Sequence, residues 1–511
     1  MTARLLSGER VLDGADLVVD AARAASGFSS LGIGENGAVA MVLRNDFAFF
    51  EAAMGAALIG AYAVPVNWHF KSDEAGYIIA DCGAKAVVVH ADLLPQIEDG
   101  IPGGVQVLVV PTPPEIRDAY GLAPDACGLP PGRQSWDAFL ARQAPWTEPP
   151  KLQRSNMIYT SGTTGRPKGV RRAPADAAMQ EVSNRMLATV FGVRAGEGVR
   201  TVVTGPVYHS APNAYALATA RDGDLVVLQP RFDGEELLRL IEQHRITHLH
   251  MVPTMFVRLL KLPEAVRRRY DLSSLKFVVH AAAPCPPQVK RQMIEWWGPI
   301  INEYYGGTET GAAIFHTAAE ALAKPGTVGR PVAGASCKIF DAAGKELGPG
   351  EIGEVYLRIG GMADFTYNRM DEKRREVERQ GLITCGDVGY LDSDGYLFLC
   401  DRVRDMVISG GVNIYPAEIE SVLITMPGIA DCAIFGIPDQ EYGEQLCAWI
   451  QLQDGAAVSA EAIRAFLRQR IAGYKVPKVI EFAPELPRED SGKIFKRKLR
   501  APYWEGAGRQ I

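Results

Sequence analysis

The chain has 511 residues, 47% of them hydrophobic and 22% charged, the composition of a globular protein long enough for more than one domain. Its 54 basic and 60 acidic residues leave a formal charge of −6, which gives no electrostatic reason to bind nucleic acid or an anionic membrane. The eight cysteines form no C-x-x-C pair; a core of this size needs no staples, so scattered free thiols in a reducing compartment are expected.

The amino-terminal segment, MTARLLSGERVLDG, has neither the apolar stretch nor the small-residue cleavage site of a signal peptide. The most hydrophobic segment, Ala52 to Val66, follows Glu51 and is interrupted by Pro65. It falls short of the roughly 20 residues a bilayer requires and predicts a buried helix running into a strand. The expectation is a soluble, cytoplasmic protein without integral membrane association. Short β-branched runs follow: AVVVH (86–90), VQVLVV (105–110), GDLVVLQ (223–229), THLHMV (247–252) and LKFVVH (275–280). Near-continuous apolar runs of this kind are strands covered on both faces. Between them lie helical patterns such as GEELLRLIEQHRI (234–246), apolar at Leu237, Leu238, Ile241 and Ile246. This alternation predicts an α/β protein with parallel sheet layers.

After Gly326 the texture changes to short strands separated by Gly, Asp and Pro turns, which predicts an antiparallel region, a small β-barrel. The charged cluster DRVRD (401–405) then marks a boundary. Residues 1–400 are expected to form a large N-terminal domain, 401–405 a hinge, and 406–511 a small α+β C-terminal domain.

Chemistry concentrates first in IYTSGTTGRPKGV (158–170). Thr160, Ser161, Gly162, Thr163, Thr164 and Gly165 offer hydroxyls and unobstructed amides that can nest phosphate oxygens, and Lys168 adds a mobile positive charge. This is not a Walker A loop, because Lys168 follows Pro167 and precedes Gly169. The segment resembles the phosphate loop of the adenylate-forming superfamily, which includes acyl-CoA synthetases, firefly luciferases and the adenylation domains of peptide synthetases. Three further motifs match in order. They are Tyr305-Gly306-Gly307-Thr308-Glu309, then Thr384-Cys385-Gly386-Asp387 with Asp401-Arg402 downstream, then Pro487 to Lys493 ending in Gly492-Lys493. Each residue alone has a plain structural reading: Glu309 as a helix-start carboxylate, Asp387 as a turn residue, Lys493 as part of a basic tail. Together, at matching positions, they favour function.

The resemblance implies a set of roles. Thr160 to Thr164 and Lys168, with Gly165 closing the loop, hold the β- and γ-phosphates, and Thr308 contacts the α-phosphate. Glu309 holds Mg²⁺, a hard cation suited to carboxylate oxygen. Tyr305 and Gly306 lie against adenine, whose other face packs near Ala281, Ala282, Ala283 and Pro284. Asp387 and Arg402 hold the ribose. Lys493 reaches the carboxylate and the bridging oxygen. With Thr308, Glu309 and Lys168, it forms the catalytic group. Tyr208, His209, Tyr304, Gly306 and Gly307 line the acyl pocket. The small domain is expected to be mobile, turning about a hinge that contains Arg404 where Lys or Asp is usual. The turn brings Gly410 and Gly411 to the pantetheine tunnel of coenzyme A. Ala281 stands where many relatives have Gly, which favours an aryl or short-to-medium-chain acid. His244, His248 and His250 lack a completing ligand at zinc spacing and are read as structural.

The form of Ile408 to Glu420, ISGGVNIYPAEIE, favours CoA as acceptor, and the chain stops at Ile511 with no carrier domain. The expected activity is an AMP-forming carboxylic acid:CoA ligase using ATP, Mg²⁺ and CoA. A catalytically silent nucleotide- or acyl-binding relative, and an adenylating enzyme with a carrier-protein acceptor, stay open as alternatives. So does the assembly, with a homodimer as one candidate.

Overall fold

The computed structural model describes residues 2–160, 166–402, 405–409, 412–488 and 494–505, with the backbone alone of Arg402. The apolar runs become strands. Ala86–His90 is buried along its whole length in an all-parallel sheet ordered Tyr62–Pro65, Ala38–Val42, Ala86–His90, Gln106–Val110, Gln134–Ser135. Successive side chains enter different cores: Val39, Met41 and Val88 one, Ala40, Val87 and Val89 another, as the two-residue period of a strand demands.

A second sheet has nine strands. Their order is Arg330–Pro331, Gly311–His316, Ile301–Gly307, Phe277–His280, His248–Met251, Arg200–Val203, Leu225–Leu228, Arg4–Ser7, Arg10–Leu12. Its six central strands are parallel and its edges antiparallel. The helices Gly14–Ser30 and Phe47–Leu58 form a middle layer between the two sheets. Their Ala24, Phe28, Phe50 and Ala53 share one core with Val39 and Val88 of the first sheet and Leu5, Val203 and Val226 of the second. The second of these helices, capped by Asp46, is the one expected near Ala52, and it leads into Tyr62–Pro65. The 234–246 pattern forms the helix Gly234–His244, capped by Asp233, with Leu237, Leu238 and Ile241 buried.

The region after Gly326 forms the expected antiparallel unit as a half-barrel, ordered Ala335–Phe340, Gly353–Ile359, Leu382–Leu391, Glu378–Arg379, with Leu397–Arg402 also paired to Leu382–Leu391. A small antiparallel sheet joins Phe365–Tyr367 to Lys168–Arg172 and Ile158–Thr160, segments far apart in sequence. The C-terminal domain has its own sheet, Val412–Ile414, Val407–Ser409, Gly443–Leu452, Ile429–Asp439, with Val479–Ala483 parallel to Gly443–Leu452. Its two cores draw only on residues from Val407 to Tyr503. All eight cysteines are free thiols. Among the described residues, no helix is long and apolar enough to cross a membrane.

Candidate active site

The site is assembled on the three-stranded sheet. Thr160 pairs with Lys168 in its antiparallel register, so the loop joins two adjacent strand ends; Ser161, Gly162, Thr163, Thr164 and Gly165 themselves lie outside the described residues. Gly169 faces the Tyr159 ring and the Met157 sulfur at distances a Cβ would not tolerate. That explains a glycine directly after the lysine. The next strand, Phe365–Tyr367, brings the Tyr367 ring to 5.1 Å from the Lys168 ammonium, within cation–π range.

The motif Tyr305 to Glu309 leaves the strand Ile301–Gly307 through a bulge between Tyr305 and Gly307. Gly306 has no room for a side chain, since the Gly311 carbonyl occupies that position, and Gly307 faces the Cys385 sulfur. The Gly307 amide donates to Thr310 Oγ1 at 2.8 Å, closing the turn. At its tip the Glu309 carboxylate accepts hydrogen bonds at Oε1 from Tyr367 Oη (3.1 Å) and Thr160 Oγ1 (3.4 Å). Thr160 directly, and Lys168 through the Tyr367 ring, are thus brought to the turn that carries Thr308 and Glu309, from which they are remote in sequence.

Arg172 lies behind it. Its guanidinium donates to the carbonyls of Thr308 and Glu309, both at 2.8 Å, and of Ala363 at 3.0 Å. Burial pushes the guanidinium down to about 10, opposed by the nearby Glu309 and Asp364 carboxylates, so it stays cationic at neutral pH. Neither Arg172 nor Tyr367 is announced by a motif.

Tyr305 Oη donates to Asp387 Oδ2 at 2.6 Å. Burial, then the Asp387 charge, pushes the phenol well above its ordinary value. Asp387 in turn pairs in register with Arg402 across the half-barrel. The segment Ala281 to Pro284 follows the strand Phe277–His280, which is hydrogen-bonded along Ile301–Gly307. Ala282 adopts φ +75°, a left-handed conformation that costs a residue with a Cβ about 1–2 kcal/mol. Ala282 and Pro284 are exposed and Ala283 half-buried, whereas Ala281 is buried in the same core as Tyr304 and Tyr215.

Tyr208 and His209 end a loop held by asparagines. Asn45 donates to the Gly205 carbonyl and accepts from the Val207 amide, both at 3.0 Å, and Asn213 donates to the Val207 carbonyl at 2.8 Å. His209 begins the helix Ser210–Asp222, and the buried Tyr208 ring lies 4.3 Å from it. Tyr304 Oη and His250 Nε2 pair at 3.0 Å. Burial pushes His248 and His250 down to about 4, leaving both neutral. His248 pairs with Thr247 Oγ1 instead. Arg404, Gly410, Gly411 and Lys493 lie outside the described residues.

The chain matches the family described as AMP-binding enzyme over residues 3–364, and AMP-binding enzyme C-terminal domain over 418–493. It is 32% identical to a feruloyl-CoA synthase of Amycolatopsis sp, covering 97% of this chain and 95% of that one. It is 30% identical to the long-chain-fatty-acid–CoA ligase FadD13 of Mycobacterium tuberculosis, covering 94% and 91%. The solved structure of ATP-bound MatB from Rhodopseudomonas palustris superposes with a TM-score of 0.84 at 26% identity, covering 99% and 97%. With two family matches in order along the chain and the four motif blocks in matching sequence, the chain belongs to the AMP-binding enzymes of the adenylate-forming superfamily.

Proposed function

We propose that the chain is an AMP-forming carboxylic acid:CoA ligase for an aryl or short-to-medium-chain acid. A carboxylate oxygen attacks the α-phosphorus of ATP and the bond to the bridging oxygen breaks, giving acyl adenylate and pyrophosphate. The CoA sulfur then attacks the acyl carbon, its proton passing to solvent, and AMP leaves. The observation that carries this reading is the convergence of Thr160, Lys168, Thr308 and Glu309 on one turn, beside the joined Tyr305 and Asp387.

Bringing two anions together and releasing a third requires charge neutralisation fixed in advance. We assign Lys168 and the loop Thr160 to Gly165 to the β- and γ-phosphates, Thr308 to the α-phosphate, and Asp387 with Arg402 to the ribose. Tyr305 lies on one face of adenine, and Ala281 to Pro284 on the other. Lys493 reaches the reacting carboxylate. A magnesium ion would fit Glu309: the carboxylate is a hard oxygen donor, and its hydrogen bonds among the described residues fall on Oε1 alone, so it retains donor capacity for a hard cation. When bound, that ion supplies further positive charge to the phosphates. Tyr208, His209, Tyr304 and Gly307 bound the acid.

The separate cores beyond Val407 support a division into 1–400 and 406–511 about a hinge at 401–405, with Arg404 inside it. Turning there exchanges Lys493 for Gly410 and Gly411 beside the thiol arm. The eight free thiols support a reducing, cytoplasmic setting.

The test supplies ATP, Mg²⁺, CoA and a panel of carboxylic acids. AMP and a thioester are expected in equal amounts, and Lys493→Ala is expected to slow adenylate formation about 100-fold or more. No adenylate or thioester from any acid overturns the reading. Adenylate without CoA thioester moves the acceptor to a carrier protein, and full adenylation by Lys493→Ala removes that residue from its role.

A further inference from the structure

Relatives of nearly equal identity are named for an aryl acid and for long-chain fatty acids, so similarity does not choose between them. The packing behind the motif strand does. Residues along Ile301–Gly307 alternate in direction: Tyr305 turns toward Asp387, and Tyr304 turns the other way, onto the end of the helix Ala177–Phe191. On the roles proposed above, with adenine against Tyr305 and the carboxylate meeting the α-phosphate near Thr308, the rest of the acid would extend along the Tyr304 side.

That side is filled with rings. Tyr304 meets Phe191 at 5.8 Å, Phe191 meets Tyr215 at 5.2 Å and His250 at 5.9 Å, and His250 meets Tyr215 at 5.4 Å. All four residues are buried, Tyr304 at 7% exposure being the most open. Two hydrogen bonds fix the cluster: Tyr304 Oη with His250 Nε2 at 3.0 Å, and Tyr215 Oη with Thr201 Oγ1 at 2.7 Å. A chain passing between this helix and the sheet would have to swing Tyr304 off His250, leaving two buried polar groups unpaired. The buried, neutral imidazole is the residue that resists this.

We propose that the His250–Tyr304 pair is the stop that sets acid length, so that the site takes planar aromatic or short aliphatic acids and excludes long alkyl chains. This rests on the ligase reading above. His250 acts through Tyr304 and is a specificity-determining residue rather than a catalytic one.

Adenylate formation is measured as pyrophosphate release with benzoate, cinnamate, hexanoate, dodecanoate and palmitate. Wild type is expected to favour its best short or aromatic acid over palmitate by about 100-fold or more in kcat/KM. His250→Ala removes the pair and opens space beside the ring, and is expected to shrink the ratio against dodecanoate about 10-fold, with the KM for ATP unmoved. Tyr304→Phe keeps the ring but loses the bond, and is expected to shift the ratio in the same direction by less; it carries the test where His250→Ala does not fold. Wild type that prefers palmitate, or a folded variant with an unchanged acid profile, overturns the inference while leaving the ligase reading intact. Wild type that activates no acid overturns both.

Discussion

The Glu309 carboxylate is approached by two hydroxyls from two different strands, and the Tyr367 ring beneath one of them also faces Lys168. One side chain therefore touches both Glu309, proposed to hold a cation, and Lys168, proposed to hold phosphate. Tyr367→Phe removes the hydrogen bond and keeps the ring. A bond to a charged acceptor contributes about 1.5–3 kcal/mol, so the KM for ATP is expected to rise about 10-fold or more with the KM for the acid unchanged, in initial-rate kinetics of pyrophosphate release; equal KM shifts for both substrates would count against this alignment. Short local motifs, and the resemblance they carry, made Thr160, Lys168, Tyr305, Thr308, Glu309 and Asp387 legible as candidates. Arg172, Tyr367 and Asn45 were not readable, since each acts on atoms brought close only by folding. Arg171-Arg172 passes in sequence for a surface charge pair. Only the alternation of a strand, which turns Arg171 to the surface and Arg172 inward, hints that one of them is buried.

At the scale of elements, a buried ionic cluster pins the strand that carries the Tyr305 motif. Glu303 lies on Ile301–Gly307, Lys290 on the helix Pro287–Trp297, His316 on Gly311–His316, and His280 ends Phe277–His280. Lys290 Nζ pairs with Glu303 Oε2, which His316 Nε2 meets at 2.9 Å and His280 Nε2 at 3.7 Å. Burial opposes the Glu303 charge, but Lys290, His280 and His316 overcome it and hold the carboxyl well below the usual range. A depressed folded value means the stabilisation is complete above the unfolded value of 4.5 and is lost as the pH falls through and below it. Lys290→Met leaves the carboxylate buried without its main partner and is expected to cost about 3–5 kcal/mol at pH 7. Urea unfolding at pH 7 and pH 5 should show the deficit narrow on acidification, as Glu303 takes up a proton; a deficit of less than about 1 kcal/mol at pH 7 would show the ion pair to be dispensable. Apolar runs disclosed the parallel strands well. The antiparallel edges, Gly311–His316 and Arg330–Pro331, were hidden because a pairing partner is a fact of space rather than of spacing. The helix predicted from Ala52 begins earlier, at Phe47, where Asp46 accepts from the Phe47 amide.

At the scale of the molecule, the strand Leu397–Arg402, whose last two residues begin the 401–405 segment, serves two masters. Arg402 is the ladder partner of Asp387, while the neighbouring Asp401 accepts from the Ala417 amide at 2.9 Å, at the start of the helix Pro416–Leu423 in the C-terminal domain. A carboxylate there favours the helix dipole by about 0.3–1 kcal/mol. Any turn about 401–405 must either carry this contact along or release it. Asp401→Ala is expected to change the ratio of the thioester-forming to the adenylate-forming rate about 3-fold or more, followed by single-turnover measurement of each step, with melting temperature nearly constant. Unaltered step rates would make Asp401 a cap and nothing more. Asp387 and the small domain's fastening at Asp401 stand on adjoining rungs of one ladder. If Asp387 holds the ribose and the joint turns as proposed, torque there would reach the sugar directly, and the grip on spent nucleotide would slacken without any relay through the rest of the protein.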